Sequence, residues 1–133
     1  MTSRRGTVIE QGAGELLHAH GYTVRIMPSG FTRRSPPAHL VASKPGETRF
    51  IRIRKTSRRP ISAGKIETQF SRDVGQFRKY LAHDPQEPGL CCEIWTYSLC
   101  YGFRPFEIRL DSIREIPRFA VNPSTSPVAG GVA

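Results

Sequence analysis

The stretch TRFIRIRK, residues 48–55, is the clearest strand signal in the chain. Its apolar and charged residues alternate, and a period of two is typical of a β-strand whose two faces meet different surroundings. The two isoleucines, Ile51 and Ile53, are predicted to point to one face, and the two arginines, Arg52 and Arg54, to the other. A guanidinium group stays charged in a protein, so the second face must supply counter-charge, water or a bound anion.

The segments around this strand predict an α/β fold. The predicted order is helix 7–20, strands 22–27, 39–43 and 48–55, helix 66–81, and strands 90–99 and 104–110. The segment DSIREI, residues 111–116, is predicted to form one helical turn. The order α-β-β-β-α-β-β predicts a mixed central sheet of about five strands flanked by helices.

Length and composition predict one domain. A chain of 133 residues fits a single core, which we expect to span residues 1–119. Residues 120–133 are small, polar and rich in proline and glycine, and we expect a disordered tail there. No run of about 18 apolar residues and no secretory signal are visible, so we expect a cytoplasmic protein with no membrane partner. The three cysteines lack zinc-ligand spacing and are predicted to be reduced, buried hydrophobic residues.

The distribution of charge suggests a partner. The chain has a net charge of +9, with 20 Lys and Arg against 11 Asp and Glu. Residues 1–65 hold 13 basic and 3 acidic side chains, a net of +10, whereas residues 66–133 hold 7 and 8. Such an asymmetry is typical of a surface that binds a polyanion, because phosphate neutralisation releases counterions. The alternative is a basic surface that has no partner.

Several local motifs, in their order, resemble a known family. The stretches RRGTVIEQG (4–12), PPAHLVA (36–42), FIRIRK (50–55) and GKIETQFSRDVGQFRKYL (64–81) are similar to segments of the PD-(D/E)XK nuclease superfamily, and most closely of the archaeal Holliday junction resolvases. The resemblance implies a restriction-endonuclease-like fold. It also implies that Glu10 stands at the position of the first catalytic carboxylate.

The departures from the family pattern affect its chemistry. The family's carboxylates bind Mg²⁺, which activates water, and a lysine assists. In the aligned positions His39 replaces the aspartate, Arg52 the glutamate, and Arg54 the lysine. A hard divalent cation prefers oxygen ligands, and two arginines repel it. We therefore interpret Glu10, His39, Arg52 and Arg54 as a vestigial site without metal or other cofactor, and expect Glu10 to line the same space as the arginines.

Three functional hypotheses remain at this stage. The first is a catalytically defective resolvase-like domain that binds branched or double-stranded DNA through basic residues, namely Arg4, Arg5, Arg33, Arg34, Lys55, Arg58, Arg59 and Lys65. The resemblance implies a homodimer, or a heterodimer with an active relative. The second is a Mg²⁺-dependent endonuclease with a site rebuilt from Glu10, His39 and Glu47. The third is a non-enzymatic interaction or scaffold protein.

Overall fold

A computed structural model describes residues 8–27, 38–56, 62–83 and 89–116. The predicted domain boundary at residue 119 and the predicted tail, 120–133, lie outside these ranges and stay predictions. Six of the predicted DNA-binding residues also lie outside them: Arg4, Arg5, Arg33, Arg34, Arg58 and Arg59. Within the described ranges, no helix is long and apolar enough to cross a membrane.

The core of the molecule is one mixed sheet with helices on both faces. The described elements are, in chain order, α1 (Val8–Ala19), β1 (Thr23–Ile26), β2 (Leu40–Lys44), β3 (Glu47–Lys55), α2 (Ala63–Gln69), α3 (Ser71–His83), β4 (Leu90–Ser98), β5 (Gly102–Ile108) and β6 (Ile113–Glu115). The strands lie side by side in that same order. The predicted α/β class, with a mixed central sheet flanked by helices, is confirmed, and the sheet has one strand more than predicted.

Only β3 and β4 run parallel; the other neighbouring strands in the described sheet are antiparallel. A parallel pair needs a crossover connection, and α2 with α3 supplies it. The antiparallel pair of β2 and β3 needs only the two-residue turn Pro45–Gly46, in which Gly46 adopts a φ of +80° that suits glycine. The connections therefore follow from the direction of each strand.

Two local predictions were wrong. The segment predicted as a helical turn contains β6, whose Ile113 pairs with Ile108 of β5. Pairing with β5 satisfies more of the backbone of this segment than one isolated turn would. The predicted helix 66–81 is divided into α2 and α3, because Phe70 leaves helical geometry, with φ −118° and ψ 42°.

The two faces of the sheet bury two separate hydrophobic clusters. On the α1 face, Ile51 and Ile53 pack with Leu17 and Trp95. On the face covered by α2 and α3, Phe50 packs against the second cluster, and its ring meets that of Tyr80 at 5.5 Å. The predicted alternation along the third strand is confirmed. The two arginines that alternate with the isoleucines therefore lie on the α3 face.

The cysteines only partly follow their prediction. All three are free, and Cys92 is buried. Cys91 is half-buried, whereas Cys100 is exposed in the turn between β4 and β5, so the prediction of a buried residue was wrong there. A tight turn between two antiparallel strands leaves its side chains in solvent.

Candidate functional site

His39 lies where β2 begins and connects three strands. Its backbone carbonyl accepts a hydrogen bond from Met27 N at 2.8 Å, and its amide donates to Ile51 O at 2.8 Å. Its ring is held as well, because Ile53 N donates to His39 Nδ1 at 3.0 Å. The side chain is therefore fixed at the end of the sheet, close to the strand that carries the two arginines.

Glu10, from the first turn of α1, reaches the same place. Its carboxylate lies 3.8 Å from His39 Nδ1. Nδ1 accepts the hydrogen bond from Ile53 N, which is the shorter of its two contacts, so it carries no proton that it could donate to Glu10. The imidazole is therefore neutral. Burial lowers the pKa of His39, Glu10 opposes this effect, and Arg52 and then Arg54 reinforce it. Glu10 therefore lies beside His39, and its expected position beside the two arginines stays a prediction.

The two arginines share a partner that the sequence analysis missed, Asp73. Arg54 Nε donates to Asp73 Oδ2 at 2.6 Å, and Nη2 donates to Oδ1 at 2.8 Å. Arg52 Nε lies 3.2 Å from Oδ1 of the same carboxylate. The Asp73 side chain is only 4% exposed, and it comes from the first turn of α3. One buried carboxylate therefore meets both guanidinium groups.

The charges of this cluster balance. Burial lowers the pKa of Arg52, whereas the hydrogen bond from Arg54 to Asp73 raises the pKa of Arg54. Both groups stay protonated, because the ordinary pKa of arginine is far above neutrality. The two positive charges share the carboxylate of Asp73, and the second carboxylate, Glu10, lies beside the neutral imidazole. We name these five residues, Glu10, His39, Arg52, Arg54 and Asp73, the vestigial cluster.

The vestigial cluster does not fit a divalent metal ion. Both oxygens of Asp73 already contact arginine side chains. A metal ion bound to Asp73 would therefore be repelled by the positive charges of Arg52 and Arg54. Among the residues that the structure describes, no three His, Cys, Asp or Glu side chains lie close enough to hold a metal. The chemistry that remains is ion pairing, and Arg54, with a side chain 36% exposed, is its most accessible member.

Glu47, the third residue of the rebuilt-site hypothesis, lies elsewhere. It stands opposite Lys44, at the far end of the strand pair from His39, about 16 Å along the sheet at the usual rise per residue. Its carboxylate accepts hydrogen bonds from Tyr22 at 2.5 Å and from Arg49 at 2.6 Å. A site that joins Glu47 to Glu10 and His39 is therefore ruled out.

Glu47 belongs to a second charged cluster, which the sequence analysis also missed. Arg49 forms a buried ion pair with Glu93, and Trp95 Nε1 donates to the same carboxylate at 2.8 Å. Burial raises the pKa of Glu93, although Arg49 opposes it. Burial by itself lowers the pKa of Arg49, but Glu93 and Glu47 outweigh it and raise the value. The sequence does carry a signal of this cluster. Arg49 in β3 and Glu93 in β4 are charged residues at positions where the alternation of each strand places a buried side chain.

Two of the predicted DNA-binding residues lie within the described ranges. Lys55 is exposed at the end of β3, and Lys65 is exposed on α2. Both lie in the sequence between Arg54 and Asp73 of the vestigial cluster. Their side chains are exposed, whereas the charges of Arg52 and Arg54 are paired with Asp73.

No family model matches the sequence, and no curated protein matches it. Among solved structures, the chain is similar to Hjc from Archaeoglobus fulgidus, a Holliday junction resolvase from an archaeal hyperthermophile. The sequence identity is 17%, the TM-score is 0.49, and the alignment covers 84% of this chain and 87% of that chain.

Proposed function

We propose that this chain is a nuclease-fold domain that has lost metal-dependent cleavage and binds branched or double-stranded DNA through phosphate contacts. The observation that carries the first half is the shared contact of Arg52 and Arg54 with Asp73. The family resemblance aligns these arginines with the Glu-x-Lys pair of active resolvases. An internal ion-pair cluster at that position supports a structural role where the family has a catalytic one.

The charge distribution supports the second half of the proposal. Residues 1–65 carry a net charge of +10, and two of their three acidic residues, Glu10 and Glu47, are engaged within the fold. The exposed lysines Lys55 and Lys65 leave positive charge on the surface of this half. Lysine contacts to phosphates attract any DNA sequence, so the binding is expected to read shape and charge.

Binding to a fluorescent duplex and to a four-way junction at several salt concentrations tests the DNA half. If about five phosphates are contacted, log K falls with log salt at a slope of about −4 to −5. The double variant Lys55→Ala/Lys65→Ala is expected to make this slope shallower by about two. Arg114→Ala is the control, because Arg114 is exposed but its charge is already paired with Glu107 at 3.0 Å. A slope near zero in the wild-type chain would overturn the proposal.

A cleavage assay with Mg²⁺ on the same substrates tests the loss of catalysis. We expect no cutting of the junction above background. Specific cutting that disappears in Glu10→Ala would instead establish the second hypothesis, a rebuilt endonuclease that uses Glu10 and His39. Weak retention on DNA that does not depend on salt would favour the third hypothesis, a scaffold protein.

The proposal includes association with another subunit, either a second copy or an active relative. The family resemblance supports this part. Sedimentation at several protein concentrations, with and without junction DNA, measures it directly. A chain that stays monomeric at all concentrations, alone and on DNA, would remove the homodimer from the proposal.

A further inference from the structure

The turn between β4 and β5 presents large apolar side chains to solvent. Leu99 is 92% exposed and Tyr101 is 50% exposed. The turn has fixed internal geometry, because Tyr101 N donates to Ser98 Oγ at 3.0 Å and Gly102 adopts a φ of +68°. Leu99 and Tyr101 thus form a small exposed apolar surface on a well-formed turn, which suits contact with another apolar surface. We name residues 99–101 the apolar tip.

The apolar tip lies at the basic end of the sheet. β3 and β4 run parallel, and Lys55 stands in register with Tyr97. Thr56 N donates to Tyr97 O at 2.8 Å, so both strands end at the same level. The tip therefore projects just beyond an exposed lysine. His39, bonded to Ile51 and Ile53, lies towards this same end of β3.

The base of the tip is held by aromatic packing. The rings of Tyr97 and Phe103, one on each strand of the hairpin, lie 4.9 Å apart. Phe103 also meets the ring of Trp95 at 5.7 Å, and Trp95 is completely buried. These contacts connect the hairpin to the hydrophobic cluster beneath α1. The base of the tip is thus packed against the core.

The size of the apolar tip and the charge beside it favour a DNA base step over a second protein subunit as its binding partner. A stable dimer interface needs about 800 Å² and about 20 residues from each partner, and a turn of three residues is far too small to supply this by itself. A step between two base pairs matches its size, because proteins that kink DNA insert one or two apolar side chains there. The neighbouring lysine suits the phosphates on either side of such a step.

We propose that the apolar tip is a wedge that enters an opened base step of DNA, with Leu99 and Tyr101 replacing part of the lost stacking. A branch point is the favoured place, because its bases are already partly unstacked and opening them costs less than in a continuous duplex. The proposal rests on the DNA binding proposed above. It adds a residue-level reason for a preference for branched over plain duplex DNA.

Junction and duplex affinities, measured for the wild-type chain and for Leu99→Ala/Tyr101→Ala, test the wedge. The junction carries 2-aminopurine at the branch point, whose fluorescence rises when the base unstacks. We expect the wild-type chain to prefer the junction and to raise the fluorescence. The variant should lose about 10-fold in junction affinity, as expected for loss of base stacking, keep its duplex affinity, and lose the fluorescence rise.

Leu110→Ala is the matched control, because Leu110 is 55% exposed at the opposite end of β5. It should leave both affinities unchanged. Salt-dependent duplex binding with an unchanged junction preference in Leu99→Ala/Tyr101→Ala would overturn the wedge alone. Absence of DNA binding by the wild-type chain would overturn both proposals. Self-association that the double variant abolishes, without any change on DNA, would assign the tip to a second copy and also overturn the wedge.

Discussion

Arg54 and Asp73 are joined by two parallel hydrogen bonds, with Nε to Oδ2 at 2.6 Å and Nη2 to Oδ1 at 2.8 Å. Two-point pairing of a guanidinium with a carboxylate is the strong and directional form of this contact. Asp73 also lies in the first turn of α3, where the helix dipole favours a negative charge. The contact therefore fastens the start of α3 to β3, and it neutralises an arginine that the strand's alternation turns towards that helix.

The first prediction is that Asp73→Asn destabilises the fold strongly. The amide cannot neutralise Arg52 or Arg54, and both would be left partly buried without their shared counter-charge. The loss in the free energy of unfolding should be about 2–3 kcal/mol, below that of a fully buried pair because the Arg54 side chain is 36% exposed. Urea unfolding at neutral pH measures the difference.

Glu67→Gln is the control for Asp73→Asn. Glu67 pairs with Arg78 at 2.5 Å, but its side chain is 50% exposed. Solvent screens such a pair, so the loss should stay below about 1 kcal/mol. Equal losses in the two variants would mean that Asp73 is no more than a surface partner.

The second prediction concerns the buried pair Arg49 and Glu93. Arg49→Met and Glu93→Leu should each cost about 3 kcal/mol, because each leaves a buried charge without its main partner. The double variant should cost less than the sum of the two by more than about 1 kcal/mol, since it removes both charges together. Urea unfolding of the wild type, the two single variants and the double variant measures these losses. Losses that simply add would contradict a direct coupling between Arg49 and Glu93.

The fold was predictable wherever hydrophobic alternation was long. The nine residues of β3 alternate through their whole length, and their two faces came out as expected. The three residues of β6 are too few for a period to be recognised, and only pairing with β5 makes them a strand. The division at Phe70 was hidden for a related reason, because apolar spacing continues across it from α2 into α3.

The candidate site was predictable only in part. The family resemblance indicated Glu10, His39 and the two arginines. These residues lie near the end of the sheet where β2 begins and β3 ends. It could not point to Asp73, because no catalytic carboxylate is expected there and the ion pair depends on how α3 packs over β3. Long-range contacts of this kind leave no trace in local spacing.

The third prediction concerns the pH dependence that His39 causes. Burial lowers its pKa below the ordinary value of 6.5, so the folded chain binds this proton less readily than the unfolded chain does. The stabilisation is therefore complete above pH 6.5 and is lost as the pH falls through that value towards the folded pKa. Urea unfolding between about pH 7.5 and pH 5.5, on either side of the ordinary histidine value, measures the loss.

His39→Asn provides the comparison. Its side-chain oxygen can accept the hydrogen bond from Ile53 as Nδ1 does, but the side chain does not titrate. The difference in unfolding free energy between wild type and variant should therefore shift in favour of the variant as the pH falls. Glu93, whose pKa is raised, and Glu47, whose pKa is lowered, also make stability depend on pH, in opposite directions. Both are present in the two proteins, so their effects cancel when the unfolding free energies are subtracted at each pH. Parallel pH profiles would show that folding does not shift the pKa of His39.

The last prediction introduces the residues of the nuclease family that the sequence resembles. The triple variant His39→Asp/Arg52→Glu/Arg54→Lys would place three new groups beside Glu10 and Asp73. Four carboxylates would then face one lysine, so the variant should be less stable than the wild-type chain without metal. Millimolar Mg²⁺ should recover part of that stability, because a ligand that binds only the folded state adds about 2.7 kcal/mol at 100 times its dissociation constant.

Thermal unfolding with and without Mg²⁺ measures this recovery independently of any cleavage. The same variant with Glu10→Gln added is the control, and its smaller recovery would place Glu10 among the metal ligands. The wild-type chain should show no such stabilisation, because Arg52 and Arg54 hold the carboxylate of Asp73 and repel the ion. Stabilisation of the wild type by Mg²⁺ would contradict the proposed loss of the metal site. A triple variant indifferent to Mg²⁺ would contradict the proposed alignment of these positions with the metal-binding residues of the resolvases that the sequence resembles.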